Sequence, residues 1–134
     1  MAGLRDSDPH RRPLVVDTTA IIDLLRGDPG ARSWLRALPA RPYCSEITRV
    51  EVTRGLRSAE RAPTYRLFET LHWVALTKEI AALAGELGRS YRRSHTGLAV
   101  ADLVVAATAT RLDADLASHN VRHFPMFPGL KPPY

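Results

Sequence analysis

Three carboxylates in this 134-residue chain sit where an acid is hard to accommodate. Asp17 directly follows the apolar run Leu14-Val15-Val16. Glu51 lies between Val50 and Val52. Asp102 is embedded in Leu98-Ala99-Val100-Ala101-Asp102-Leu103-Val104-Val105. A carboxylate withdrawn from water must be hydrogen-bonded, paired or bound to a cation. Each acid alone has an ordinary structural reading: Asp17 as the cap of the next helix, Glu51 as the partner of Arg54, Asp102 as a favourable charge at a helix start. Together, from three separated segments and with no His or Cys partner, they form a hard all-oxygen set. Such a set suits Mg²⁺ or Mn²⁺ and disfavours zinc. A cation held this way commonly meets a phosphate, activates water and stabilises charge on phosphorus during in-line displacement.

The acids need elements to position them. Leu14-Val15-Val16 reads as a strand buried on both faces. A helix follows through Ile21, Ile22, Leu24 and Leu25, and Gly27-Asp28-Pro29-Gly30 ends it. A second helix carries Ala31, Trp34, Leu35 and Leu38 up to Pro39. Pro42-Tyr43-Cys44 is a second strand, and Ser45 caps the helix that bears Glu51. A further helix contains Pro63 in its first turn, with Leu67, Phe68 and Leu71. Trp73 to Leu76 is a third strand. Thr77 caps a longer helix whose face is Ile80, Leu83, Ala84, Leu87 and Tyr91. After the polar turn Arg92 to Gly97 comes a nearly all-apolar helix from about Ala99 to Leu112. Leu116-Ala117-Ser118 is a fourth strand, ending at His119-Asn120. The proline-broken segment from Phe124 is expected to lie extended on the surface. Alternating strands and helices predict an α/β fold with a short parallel sheet covered on both faces. Ligands of such sheets bind at the carboxyl ends of the strands, where all three acids fall.

Several chemistries are absent from the pattern. No G-x-G-x-x-G follows the first strand, and no G-x-x-x-x-G-K-[ST] occurs, which excludes a P-loop. Asp17-Thr18-Thr19 lacks the second aspartate of a D-x-D phosphotransferase, and the hydroxyls have no G-x-S-x-G context. The single cysteine, Cys44, excludes an internal disulfide framework and points to a reducing cytosol. No apolar window spans a membrane: the best, Leu98 to Ala109, is short and contains Asp102. The run at Leu14 stops at Asp17 and gives no secretory signal core. Apolar residues are 45% and charged residues 25%, which fits one globular domain and excludes wholesale disorder. We divide the chain into a leader (1–12), a domain (13–130) and a tail (131–134). Net charge is +5, and all nineteen basic residues except Lys78 and Lys131 are arginines, which favours an anionic partner.

The motifs, in order, resemble a known family. Val15-Val16-Asp17-Thr18-Thr19-Ala20-Ile21-Ile22-Asp23-Leu24-Leu25 resembles the opening motif of PIN-domain nucleases. Ser45-Glu46-Ile47-Thr48-Arg49-Val50-Glu51-Val52-Thr53-Arg54-Gly55-Leu56 resembles their second motif. Ala101-Asp102-Leu103-Val104-Val105-Ala106-Ala107-Thr108-Ala109 resembles the third. Leu116-Ala117-Ser118-His119-Asn120-Val121-Arg122-His123-Phe124 resembles the fourth, in the form seen in VapC toxins of toxin–antitoxin pairs. The resemblance covers roughly residues 13 to 130. It implies a PIN-like three-layer α/β/α sandwich and a metal-dependent endoribonuclease, held inactive by a VapB-type antitoxin and usually homodimeric. Asp17, Glu51 and Asp102 then inherit metal-binding and catalytic roles with Mg²⁺ or Mn²⁺. Thr18 matches a hydroxyl position beside the first acid. Asp23 matches a recurrent acid on the first helix, with a cap or ion pair as the structural alternative.

The fourth motif departs from the family. Asn120 stands where many PIN nucleases carry aspartate, and a neutral oxygen there can still orient a water. Asp115 falls near the start of its strand, roughly 10–16 Å from the working edge, and is left outside the site. Ser118 and Thr18 form a polar rim. Arg54, Arg57 and Arg61, and separately Arg89, Arg92, Arg93 and His95, either steer RNA phosphates or are solvated helix faces. His119 and His123 flank Asn120 and are not needed as ligands beside hard oxygens. Trp34, Trp73 and Tyr91 fit apolar faces better than base platforms. The rival from another class is a non-catalytic RNA- or protein-binding module whose acids dock a partner's arginine. A third reading is a PIN nuclease in RNA processing.

Overall fold

The computed structural model describes residues 11–94 and 97–134. Four short strands, β1 (Leu14–Val16), β2 (Tyr43–Ser45), β3 (His72–Val74) and β4 (Asp115–Ala117), form one sheet in the order β3-β2-β1-β4. Every neighbouring pair is parallel. Leu14 pairs with Asp115, Val15 with Leu116 and Val16 with Ala117. The Asp17 N–H extends this ladder by donating to the Ala117 carbonyl at 3.1 Å. The edge strand β4, from the far end of the chain, is therefore laid directly against the first strand.

Helices cover both faces, as a parallel sheet requires. Val16 and Cys44 face one side, where α1 (Thr18–Leu25), α2 (Pro29–Ala37), α3 (Glu46–Arg54) and α4 (Arg61–Phe68) contribute Ala20, Ile21, Leu24, Ala31, Leu35, Val52 and Phe68. Val15 and Leu116 face the other side and meet Val105, Ala106 and Ala109 of α6 (Val100–Arg111). Ile80 and Ala84 of α5 (Lys78–Tyr91) close against Val104 and Ala107, so α5 lies outside α6. The alternation of Val15 and Val16 between two cores is the strand period of two made physical. The three-layer expectation is thus met.

Helix starts follow the side chains that precede them. Asp28, Ser45 and Thr77 accept backbone N–H bonds at the starts of α2, α3 and α5. Gly27, at φ +79°, turns the chain between α1 and α2 in a region closed to most side chains.

Two expectations need amendment. The segment from Phe124 does not lie extended on the surface. Phe124 is only 1% exposed and belongs to the second core, with Met126, Phe127 and Leu130 packed against it. Four apolar side chains between the prolines bury enough area to outweigh an extended path. Arg12, assigned to the leader, bonds Asp115 at 3.0 Å and Asp113 at 3.1 Å. Residues 1–10 of the expected leader, and His95 and Thr96 of the expected polar turn, lie outside the described residues.

Candidate active site

Asp17 stands at the carboxyl end of β1 and is 2% exposed. It also caps α1, accepting the Ala20 N–H at 3.2 Å, so the structural reading of this residue is correct as far as it goes. The cap uses only part of its capacity. Thr19 donates a forked bond to both carboxylate oxygens, at 2.8 and 2.9 Å, and Ser118 donates at 2.6 Å. Ser118 is buried and also accepts the Asn120 backbone N–H at 2.9 Å. Burial raises the Asp17 carboxyl above the ordinary aspartate value, outweighing the hydrogen bonds from Ser118 and Thr19 that lower it.

Glu51 projects from α3 toward the start of α1. The Thr18 hydroxyl donates to it at 2.6 Å. That commits the single Thr18 proton, so the contact between the Thr18 and Thr48 hydroxyls at 3.1 Å has Thr48 as donor. The alternative helical partner Arg54 is not what Glu51 engages: Thr18, 33 residues away, donates to it.

Asp102 occupies the first turn of α6, with its side chain 19% exposed. Its Oδ2 lies 2.9 Å from His123 Nδ1. Burial raises the Asp102 carboxyl, His123 opposes the shift, and the charges of Asp17 and Glu51 add to it. The charges of Asp17 and Glu51 are therefore both near enough to act on Asp102. Among the described residues no arginine or lysine forms an ion pair with any of them.

The donor chemistry fits a hard divalent cation, since all three groups offer oxygen and the cluster is poor in positive charge. The side chains as they stand are not gathered on one point: among the described residues no three His, Cys, Asp or Glu side chains converge as a ligand set. Thr18, Thr19, Ser118 and His123 hold the carboxylates instead. Of the rim residues, Thr18 and Ser118 touch the acids directly, while Asn120 is tied in through its backbone.

Sequence reasoning missed three partners. Thr19 and His123 bond Asp17 and Asp102, and Tyr134 donates to Asp23 Oδ2 at 2.7 Å. Asp23 thus anchors the tail. The Thr19 bond had a local signal in its spacing from Asp17; the other two join residues 21 and 111 positions apart and had none. Asp115 is exposed at the far end of β4, as expected. Trp34 and Trp73 pack against the first core. Arg54, Arg57, Arg61, Arg89, Arg92 and Arg93 are all exposed.

The PIN domain family model matches residues 14–126. Ribonuclease VapC19 of Mycobacterium tuberculosis is 44% identical over 123 residues, 90% of this chain and 98% of that relative. A toxin–antitoxin complex from Klebsiella pneumoniae contains a chain that is 28% identical with a TM-score of 0.78, over 90% of this chain and 98% of that one. VapBC-1 from nontypeable Haemophilus influenzae is 25% identical with a TM-score of 0.69, over 83% and 89%.

Proposed function

The chain belongs to the PIN-domain family, and on that premise we propose that it is an endoribonuclease toxin of the VapC kind, cutting RNA through a Mg²⁺ or Mn²⁺ site on Asp17, Glu51 and Asp102. The relatives' names support the ribonuclease class, and the solved toxin–antitoxin complexes support a VapB-type antitoxin as its partner. The observation that carries the site is electrostatic: the charges of Asp17 and Glu51 both act on Asp102 and help raise its carboxyl, and among the described residues none of the three acids pairs with an arginine or lysine. Such a cluster is relieved by an external cation.

When bound, the ion supplies charge for the scissile phosphate and makes a water more acidic. The chain's own residues do the rest. Ser118 and Thr19 fix the Asp17 carboxylate, and the α1 cap fixes its backbone. Thr18 orients Glu51, which completes the ligand set or positions the attacking water. His123 holds Asp102 from its partly exposed side. Asn120 offers a neutral oxygen at the rim. The family resemblance extends the reading to products with 5′-phosphate and 3′-hydroxyl ends and to a homodimer. The exposed arginines Arg54, Arg57, Arg61, Arg89, Arg92 and Arg93 supply positive potential for the RNA backbone.

The test is direct. Antitoxin-free protein is incubated with RNA, with Mn²⁺ or with EDTA. Discrete fragments that disappear in EDTA are expected. Metal-indifferent RNA binding without cleavage would replace the nuclease with a binding module.

A further inference from the structure

Beside the acidic cleft the structure holds a row of rings that the chemistry above does not use. His119 separates Ser118, whose hydroxyl reaches Asp17, from Asn120 at the rim. Ser118 is buried, whereas His119 is exposed. The imidazole is not loose. Its centroid lies 4.2 Å from the Tyr134 ring, at an interplanar angle of 51°. Tyr134 is fixed in turn: its hydroxyl donates to Asp23, its ring is 5.6 Å from Trp34, and it packs against the first core. It also passes close over Gly30, where a Cβ would come within 3.6 Å of the ring. Trp34, Tyr134 and His119 therefore run outward from the core to the lip of the site.

We propose that the exposed His119 imidazole, backed by Tyr134, is a stacking platform for one nucleobase of single-stranded RNA next to the scissile phosphate. This deepens the nuclease reading and rests on it. Single-stranded RNA is recognised largely through unstacked bases laid on aromatic rings, and every base offers such a face. A ring already held by a second ring loses little freedom when a base lands on it. Position adds to the argument. His119 adjoins Ser118, whose hydroxyl bonds Asp17 at 2.6 Å, so a base on its ring belongs to a nucleotide close to that acid. Anchoring the tail to Asp23 explains the Tyr134 hydroxyl but gives no reason for an exposed imidazole against the ring.

The test uses the full chain. Wild-type protein with Mn²⁺ first maps the cleavage site in an RNA oligonucleotide. The same oligonucleotide, with 2-aminopurine placed in turn at each position around that site, is then bound to Asp102→Asn protein. Quenching is expected at one position adjoining the cut, and it is lost when His119→Ala is added. In an otherwise wild-type background, His119→Ala is expected to raise KM about five- to tenfold, the lower range for a base on an exposed ring, with kcat within twofold. His119→Phe restores KM; Tyr134→Leu produces a smaller rise than His119→Ala. An unchanged KM and unchanged quenching in His119→Ala overturn the platform while leaving the nuclease intact. A fall in kcat alone also overturns it, because that assigns His119 to holding Ser118 and Asn120. Wild-type protein that fails to cut RNA with Mn²⁺ overturns the nuclease reading and the platform together.

Discussion

Asp115 and Asp17 stand on neighbouring strands, at opposite ends of the same sheet. Asp115, at the start of β4, is exposed and bridged by the Nε of Arg12 at 3.0 Å. Asp113, two residues before it, takes the same guanidinium at 3.1 Å. A cavity of about 380 Å³ opens there, with Arg11, Arg12 and Arg41 around Leu14, Leu38 and Tyr43. The carboxyl end is the reverse. Asp17, Glu51 and Asp102 are held by hydroxyls, a backbone N–H and one imidazole, and arginine is kept out among the described residues. An acid neutralised within its own chain has no call for an outside cation. Three acids with no arginine or lysine partner among the described residues, in a chain with seventeen arginines, fit the cation site proposed above.

The comparison is broken most sharply at the carboxyl end. Asp17→Asn or Asp102→Asn is expected to reduce RNA cleavage at least about 100-fold while the far-ultraviolet circular dichroism and antitoxin binding stay as in the wild type. Retained cleavage by purified Asp102→Asn protein removes that residue from the chemistry.

Stability should respond next. Asp17 and Asp102 titrate higher in the folded chain than an ordinary aspartate does, so folded protein binds more protons than unfolded protein over that window. Stability in EDTA therefore falls as pH rises from about 4 through the raised folded values. In Asp17→Asn that fall shrinks, and millimolar Mn²⁺ offsets it in the wild type by binding the ionised acids. Thermal melts at a series of pH values read this. A wild-type profile that rises across the window, with the variant parallel to it, contradicts the carboxyl-end electrostatics.

Between the two ends lies Cys44, buried on β2 with its Sγ 3.6 Å from the Val16 carbonyl. Burial pushes its thiol up to about 12. A thiol-reactive dye at pH 8 is expected to label it only as fast as the chain unfolds. The amino end gives the smallest effects. Arg12→Ala should shift the thermal midpoint only slightly, as loss of an exposed pair does, and Asp115→Asn should leave cleavage within about twofold. Loss of activity in Asp115→Asn would erase the distinction between the two ends.

Much of this was legible in the residues. The parallel order follows from apolar triplets separated by amphipathic helices, and the caps at Ser45 and Thr77 were readable from type and position. Asp17, Glu51 and Asp102 stood out because their neighbours are apolar. What stayed hidden is non-local. Phe124 reads as part of a proline-broken surface segment until the second core is assembled around it. Only Arg54 could be named as an alternative partner for Glu51, because helical spacing is visible in a sequence and Thr18 across a packed interface is not. His123 and Tyr134 likewise acquire partners only through tertiary folding.

The pairing of β1 with β4 has a consequence for how the protein is made. Asp17 emerges early from a ribosome, but its ladder partner Ala117 and its hydroxyl donor Ser118 are synthesised about a hundred residues later. Contacts so distant in sequence form only after the intervening chain is available. The nascent polypeptide thus carries its acids without the arrangement that would arm them. Translation itself delays the hazard, giving a neutralising partner time to be present when the last strand closes the sheet.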